Sequence, residues 1–288
     1  MDLKGKIAGS AEMRNIDLID MEAAPDRAPF FRADLLFKAP NPYQRYYASH
    51  CKWIGFHAGN ERIGHACMGL KSWYKDTLLE FRLRPTAFRF SDICYDQLRT
   101  RYAFKQVICT FLDVLLFSIV SNRNYQVKPM GYLFHHDGPS DNSVKAKQDL
   151  EIKLATSDQA SKVYQLLLRP SSRDFSLLYR GEEKAVSTSV DRGEIYIATR
   201  EGQEAGLGFK IGLPFETDYA DVGMIVFPEF RKQGVGTFIV NRMISLCQNQ
   251  GLIPVATCLA ENRESEATLK KCGFYPLVKI FKAIPPQS

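Results

Sequence analysis

The sequence predicts an α/β (α+β) protein of two domains. Three observations carry this prediction: the length of 288 residues, a polar break near the middle, and apolar residues at strand and helix spacing in the second half. A single core seldom extends beyond about 250–300 residues, so this length suits two domains. The break is "HHDGPSDNSVKAKQD", residues 135–149, where turn-forming residues cluster and no apolar period survives. We therefore expect domains at 1-138 and 149-288.

The second half predicts the element order β α α β β β α β α β. "LEIKLAT" alternates as a strand does, and Ser157 is a suitable N-cap for the helix that follows. A second helix is expected within Ser176–Val190. "EIYIATREG" and "QEAGLGFKIG" are two strands that meet at Glu201-Gly202-Gln203, so they predict a hairpin.

The remaining elements follow a third strand, "ADVGMIVF". Beyond Gly234 the apolar residues 235, 238, 239, 243 and 246 or 247 lie on one helical face, and Gly251 ends that helix. "LIPVATCLA" predicts a strand, "RESEATLKK" a short helix that stops at Gly273, and "LVKIFKA" a last strand.

Charge and cysteine usage narrow the function classes. The formal net charge is +6, and residues 1–150 carry 21 Lys and Arg against 16 Asp and Glu, which makes no basic stripe. We therefore expect no nucleic-acid partner.

Seven scattered cysteines without a C-x-x-C pair indicate free thiols in a reducing compartment rather than disulfides or zinc. No signal-peptide core opens the chain, and the most apolar segment, residues 107–120, is shorter than the roughly 20 residues of a membrane span. We expect a cytoplasmic protein without a membrane partner.

Two glycine-rich segments are candidates for anion binding. "GLGFKIG" is one residue off the dinucleotide fingerprint and lies within a strand pattern, so its glycines are expected to be strand glycines. "RKQGVG" stands where a strand ends and a helix begins, where unpartnered N–H groups and the helix dipole favour phosphate. The alternative is a turn whose glycines only allow close packing.

The second segment and its surroundings resemble the GCN5-related N-acetyltransferase (GNAT) superfamily. "DVGMIVFPEFRKQGVG" looks like the family's fourth strand and acetyl-CoA loop, with Arg231, Gly234 and Gly236 at the fixed places of R/Q-x-x-G-x-G/A. "ENRESEATLKKCGF" is similar to its fifth-strand and last-helix signature, an Asn followed eleven residues later by Gly and then an aromatic. The resemblance covers about Leu150–Lys282. It implies a GNAT fold, a mixed, mostly antiparallel sheet flanked by helices.

The resemblance also implies a co-substrate and its binding residues. Acetyl-CoA, or another acyl-CoA, would be bound without a metal. The strand before the loop would pair with the pantetheine arm, the loop amides would bind the pyrophosphate, and an Asn would hydrogen-bond the pantetheine. Carried over to this chain, these residues are Met224, Ile225 and Val226; Arg231, Lys232, Gln233, Gly234, Val235, Gly236 and Thr237; and Asn262, with Ser265 as a further coenzyme-binding residue.

The implied reaction is acyl transfer to an amine, carried by a small molecule or a protein. An amine near pH 7 is mostly protonated, so a base is needed, and Asp221 stands where many members have a Glu in the fourth strand. The usual acid, a Tyr seven residues after the Asn, is replaced by Leu269. Some subgroups lack this Tyr and have a Ser three residues after the Asn, as Ser265 stands here. Tyr275 and Cys258 lie nearby, but the sequence favours neither as the acid.

The replacement by Leu269 leaves a second function open, a non-catalytic acyl-CoA sensor or partner-binding protein.

The first half is expected to be a degenerate GNAT-like or accessory domain, so that two tandem GNAT-like domains form the chain. Gly59 with Gly202, Asn122 with Asn262 and Gly131 with Gly273 recur at nearly constant offsets, 143, 140 and 142 residues. The first half has "RFSDIC" at the position that corresponds to the acetyl-CoA loop, and this segment contains no glycine. We therefore expect that the first half has lost ordinary coenzyme binding.

Histidines and aromatics in the first half offer weaker hypotheses. His57 and His65 flank the predicted hairpin turn, but no Asp, Glu or Cys stands at metal-ligand spacing, so solvated or core histidines are favoured. Tyr43, Tyr46 and Tyr47 suit a cleft or simple packing. The oligomeric state and the amine remain open.

Overall fold

A computed structural model describes residues 16–23, 51–70, 74–136, 138, 149–169, 183–213 and 217–286. The expectations for Tyr43, Tyr46 and Tyr47, and for a helix at 176–182, lie outside these residues. The chain forms two compact units. Of the described residues, those up to Lys128 and those from Phe281 onward form the first unit, and those within Pro129–Ile280 form the second. The domain bounds 1-138 and 149-288 stay a prediction.

The described residues of the first half form six strands and two α-helices. The strands are β1 (Ile16–Met21), β2 (Cys51–Ala58), β3 (Glu61–Gly69), β4 (Thr77–Leu83), β5 (Gln106–Thr110) and β6 (Gln126–His135). A 3-10 helix, Pro85–Phe90, runs directly into α1 (Ser91–Tyr102), and α2 (Val114–Asn122) follows β5.

The second half has the predicted order of elements. Its strands are β7 (Leu150–Leu154), β8 (Ile195–Arg200), β9 (Gln203–Gly212), β10 (Tyr219–Val226), β11 (Ile253–Leu259) and β12 (Tyr275–Ile284). Its helices are α3 (Ala160–Leu167), α4 (Glu183–Asp191), α5 (Val235–Gln248) and α6 (Arg263–Lys271), with 3-10 helices at Ser157–Gln159 and Pro228–Phe230.

The two halves share an order of elements. From β2 onward the described elements of the first half follow the order β β β, 3-10, α β α β, and the second half has the same order from β8 onward. The hairpins at Gly59 and Gly202 match in this order, and both glycines have positive φ, 60° and 79°. Pairing Asn122 with Asn262 is wrong, however. Asn122 ends α2, whereas Asn262 caps the start of α6, where the first half has Asp113.

The sheet of the second unit has the order β12-β6-β11-β10-β9-β8-β7. The pairs β6–β11, β9–β10, β8–β9 and β7–β8 are antiparallel and the pair β10–β11 is parallel, so the predicted mixed, mostly antiparallel sheet is confirmed. Helices α3 and α4 pack on one face and α5 and α6 on the other. The residues Gly131–His135 of β6 pair with β11, although the polar break follows them in sequence.

The helix after the glycine loop is buried along the predicted face. Val235, Ile239, Met243 and Cys247 of α5 are at most 1% exposed and pack in one core cluster with β10 and α6. The helix ends at Gln248, and Gly251 with a φ of 71° turns the chain so that Leu252 N–H bonds the carbonyl of Cys247.

The thiols differ sharply in accessibility. Cys51 is half-buried and the other six cysteines are buried. Burial raises the pKa of Cys94, Cys247 and Cys272 to about 12 and raises that of Cys109 as well. Since the thiolate is the nucleophile, on the order of one in 10⁴ of a thiol with a pKa near 12 is reactive at pH 8.

We therefore expect a disulfide reagent such as dithionitrobenzoate to modify Cys51 alone in the native protein at pH 8. The measurement is the number of rapid equivalents before and after denaturation, expected to be one and seven. Cys51→Ser should remove the rapid phase. Two or more rapid equivalents in the native protein would contradict the burial described here.

Within the described part of the chain, no helix is both long and apolar enough to cross a bilayer.

Candidate functional site

A cleft opens in the sheet of the second unit between β10 and β11. The two strands pair only at Tyr219–Ile253, Ala220–Pro254 and Asp221–Val255. Beyond Asp221, β10 continues to pair with β9, and β11 continues to pair with β6. Parallel strands that separate in this way leave backbone N–H and C=O groups without a strand partner. The cleft therefore offers hydrogen bonds to an extended ligand.

The residues predicted to bind pantetheine lie on this cleft. Met224, Ile225 and Val226 pair with Gly208, Leu207 and Gly206 of β9, and their other edge faces the opening. Ile225 is buried, while Met224 and Val226 are half-buried. β9 holds this stretch along one edge, and Arg231 donates to the carbonyl of Val226.

A loop closes the wide end of the cleft. The 3-10 helix Pro228–Phe230 is followed by four residues, of which Lys232 and Gly234 have positive φ, 59° and 86°. Positive φ is unusual for a residue other than glycine and gives the loop a concave backbone. Gly234 is the N-cap of α5, and the first bond of that helix runs from Phe238 N–H to Gly234 C=O. The N–H groups of Val235, Gly236 and Thr237 precede it and have no acceptor within the helix.

Polar side chains fix this loop from outside. Gln233 donates from Nε2 to the carbonyl of Glu229, 2.8 Å away, and accepts a hydrogen bond from Arg200. Arg200 in turn donates from Nε to Asp149 Oδ2 at 2.6 Å. Arg231 donates from Nε to the carbonyl of Val226 at 3.2 Å. The side chains of Gln233 and Arg231 thus hold the loop's shape, and Lys232 is exposed.

The two loop glycines differ in what the structure requires at their positions. Gly234 permits the left-handed backbone at the start of α5. Gly236 has no positive φ, and a Cβ there would lie in ordinary van der Waals contact, 3.4 Å from Thr268 Cγ2 and from Val226 Cγ2. Close packing within the chain therefore does not require glycine at 236, and Gly234 is explained by its backbone conformation.

The start of α6 borders the same cleft beyond β11. Asn262 is its N-cap and accepts the N–H of Ser265 at 3.1 Å through Oδ1. The amide Nδ2 of Asn262 remains as the donor end of that side chain. Ser265 is half-buried, whereas Leu269 is 3% exposed and belongs to the core. The place of the family's Tyr therefore holds a packing residue.

Asp221 lies at the narrow end of the cleft, in the last residue pair before the strands separate. Cys258 is 4% exposed, and its Sγ donates to the carbonyls of Leu259 and Asn262 at 3.3 Å. Tyr275 is 38% exposed and contacts His135 Nδ1 through its hydroxyl at 3.0 Å.

Neither His135 nor Tyr219 was predicted from the sequence to belong to this region. The His135 ring lies 6.2 Å from the ring of Tyr219 and 5.7 Å from that of Tyr275. In the sequence, His135 stands at the start of the polar break. Pairing of β6 with β11 brings it to the site.

The first unit has a similar opening but no glycine loop. Its β4 and β5 pair only at Thr77–Gln106 and Leu78–Val107. A cavity of about 170 Å³ follows, lined by Phe81, Arg82, Leu83, Phe88, Val114, Leu115 and Ser118. Arg82 in that lining donates from Nη2 to Asp113 Oδ1 at 2.8 Å. The 3-10 helix joins α1 without an intervening loop, so no concave backbone forms there.

No group of three metal-ligating side chains occurs among the described residues. His65 Nε2 lies 2.8 Å from Glu80 Oε1, and both residues are buried. His65 is therefore a core histidine with a carboxylate partner. Burial lowers the pKa of His57, with Arg62 acting in the same direction.

Comparisons with known proteins agree with this geometry. The model of the acetyltransferase (GNAT) family matches residues 160–274. No curated protein matches the sequence. An acetyltransferase from the GNAT family of Colwellia psychrerythraea is 14% identical, with a TM-score of 0.73 over 94% of this chain and 100% of that one.

Two further solved structures are similar over nearly the whole chain. A tandem GNAT protein from the clavulanic acid biosynthesis pathway is 13% identical, with a TM-score of 0.63 over 95% of this chain and 100% of that one. A GCN5-related N-acetyltransferase from Sphaerobacter thermophilus is 10% identical, with a TM-score of 0.61 over 94% and 97%. At these identities the likeness shows the fold, and the family match supports acyl transfer as the general chemistry. The chain has the GNAT fold, and its residues 160–274 match the model of the acetyltransferase (GNAT) family.

Proposed function

We propose that the protein is an N-acyltransferase that uses acyl-CoA, with acetyl-CoA as the donor and an amine of a small molecule or protein as the acceptor. The observation that carries this proposal is the cleft between β10 and β11, which ends at the loop around Gly234. An extended pantetheine arm suits the open edge of Met224–Val226, and a pyrophosphate suits the N–H groups at the start of α5. Asn262 Nδ2 and Ser265, at the start of α6, would then contact the arm.

The donor thioester is already activated, so the protein has to align it with a neutral amine and stabilise the developing oxyanion. With the pyrophosphate at the loop, the arm runs along β10 toward Asp221 and brings the thioester near the narrow end of the cleft. Asp221 is then the base that takes the proton of the ammonium group. The protein would act in the cytoplasm, and the first half would be a degenerate GNAT-like domain that supports the acceptor or a partner.

The alternative is an acyl-CoA sensor or partner-binding protein without turnover. Leu269 favours it, since an apolar side chain cannot deliver a proton, and so does the first unit, which lacks a glycine loop. Isothermal titration with acetyl-CoA, combined with thiol-release kinetics on a panel of polyamines, aminoglycosides, amino acids and peptide N-termini, separates the two. We expect both binding and turnover. Tight binding with no turnover on the panel would favour the sensor.

Asp221→Asn should lower kcat on the best amine about 100-fold, since general base catalysis typically contributes 10²–10⁴. The affinity for acetyl-CoA should stay unchanged, because Asp221 lies beyond the arm. The matched control is Asp218→Asn, an exposed carboxylate just before β10, which should keep kcat within twofold. A fully active Asp221→Asn protein would remove Asp221 from the mechanism.

A further inference from the structure

The proposed function still needs a residue that delivers a proton to the departing sulfur. Leu269, at the place of the usual Tyr, is a core side chain and cannot do so. We propose that Tyr275 and His135 form a proton relay that carries a proton from the attacking amine to the departing thiolate. The inference rests on the proposed function and adds to it the acid that the sequence could not identify.

The two side chains form a pair with one exposed member. Tyr275 Oη lies 3.0 Å from His135 Nδ1. His135 is 4% exposed and Tyr275 is 38% exposed. Only Tyr275 can therefore touch a substrate, and His135 acts through it as a positioning residue and proton acceptor.

The pair lies on the same sheet face as Asp221. His135 is directly opposite Val255 on β11, and Val255 is directly opposite Asp221 on β10. Residues opposite each other across paired strands direct their side chains to one face. Ring contacts extend from Tyr275 over His135 to Tyr219, two residues before Asp221. The row of rings thus ends beside the narrow end of the cleft.

The opposite face has no room for an acceptor. Ala220 and Val222, which alternate with Asp221, are 0% and 3% exposed and pack against α5. On the face of Asp221, by contrast, Tyr275 and Thr257 are exposed. An amine that reaches the thioester at the narrow end therefore approaches from the side on which Tyr275 lies.

The proposed step is balanced in atoms and charge. Asp221 first takes one proton from the ammonium group and releases it to solvent. The neutral amine attacks the thioester carbon, and a C–N bond forms. The nitrogen gives a second proton to Tyr275 Oη as the hydroxyl proton moves to His135 Nδ1. When the C–S bond breaks, the thiolate takes a proton from Tyr275 Oη, which recovers its own from His135. The products are the amide and free CoA thiol, and both side chains return to their starting state.

The test uses the full chain, acetyl-CoA and the amine of the panel that is turned over fastest. Tyr275→Phe keeps the ring and removes the hydroxyl. His135→Asn keeps an acceptor at the place of Nδ1 but cannot take up a proton. Each variant is expected to lower kcat about 100-fold and to leave the amine KM and the acetyl-CoA Kd unchanged. The double variant should be no slower than the slower single one, because the two residues act as a unit.

Tyr132→Phe is the matched control, since Tyr132 is on the same strand as His135 but packs with Phe134 in the cluster of α5 and α6. It should keep kcat within twofold. A Tyr275→Phe protein with wild-type kcat overturns the relay, as does a double variant whose loss is the product of the single losses. A wild-type protein that binds acetyl-CoA but releases no thiol with any amine overturns the proposed function instead, so the two failures are distinguishable.

Discussion

Gly234→Glu is expected to abolish acetyl-CoA binding while the protein stays folded. Gly234 has a φ of 86° at the start of α5, where any other residue costs roughly 1–2 kcal/mol of strain. The new carboxylate would also stand at the N–H groups proposed to bind the pyrophosphate. A hydrogen bond to a charged group contributes about 1.5–3 kcal/mol. Loss of two such bonds weakens binding on the order of 10²–10⁴-fold, which isothermal titration measures directly.

Gly202→Glu is the matched control for this loss. Gly202 also has a positive φ, 79°, and its Cβ position is open. It lies in the turn between β8 and β9, so the control introduces the same charge and a similar strain away from the cleft. It should lose a similar amount of stability in thermal unfolding and keep its affinity. If folded Gly234→Glu binds acetyl-CoA as the wild type does, the loop is not the pyrophosphate site.

Gly206→Val should give the largest loss of stability among strand substitutions in the second unit. A Cβ at Gly206 would lie 2.2 Å from the backbone oxygen of Ile225 and 3.1 Å from Ile239 Cδ1. The backbone of β10 must shift to admit it, because a carbonyl in a paired strand cannot rotate away. We expect the free energy of unfolding to fall by about 3 kcal/mol, the upper end for overpacking, and Tm to fall by roughly 6–12 °C.

The control for Gly206→Val lies on the same strand. Gly212 has nothing within 4 Å of its Cβ position, so Gly212→Val should change Tm by less than about 2 °C. Differential scanning calorimetry compares the two. If both substitutions lower Tm equally, the loss of stability comes from placing a β-branched side chain in β9 and not from contact with β10. Because β10 carries the cleft, Gly206→Val should also weaken acetyl-CoA binding.

The sequence predicted the local elements around the site well, because each depends on neighbouring residues. The hairpin at Gly202 follows from turn chemistry, and α5 from apolar residues on one helical face that Gly251 ends. The strand glycines of "GLGFKIG" are confirmed as such, since Gly206 and Gly208 lie within β9 against Ile225 and Ile239. The pairing of Asn122 with Asn262 was wrong because two asparagines at a similar spacing carry no information about which end of a helix each occupies.

The GNAT fold of the second half, the order of its elements and the loop of Gly234 could therefore be predicted from the sequence alone. The separation of β10 and β11 after Asp221, the burial of Leu269 in the core and the pairing of β6 with β11 could be recognised only in the folded protein. His135 and Tyr275 are 140 residues apart in the chain and meet through strand pairing. Periodicity and turn signals report on a residue's near neighbours in sequence. A contact between distant strands depends on the register of the whole sheet, and no local pattern specifies that register.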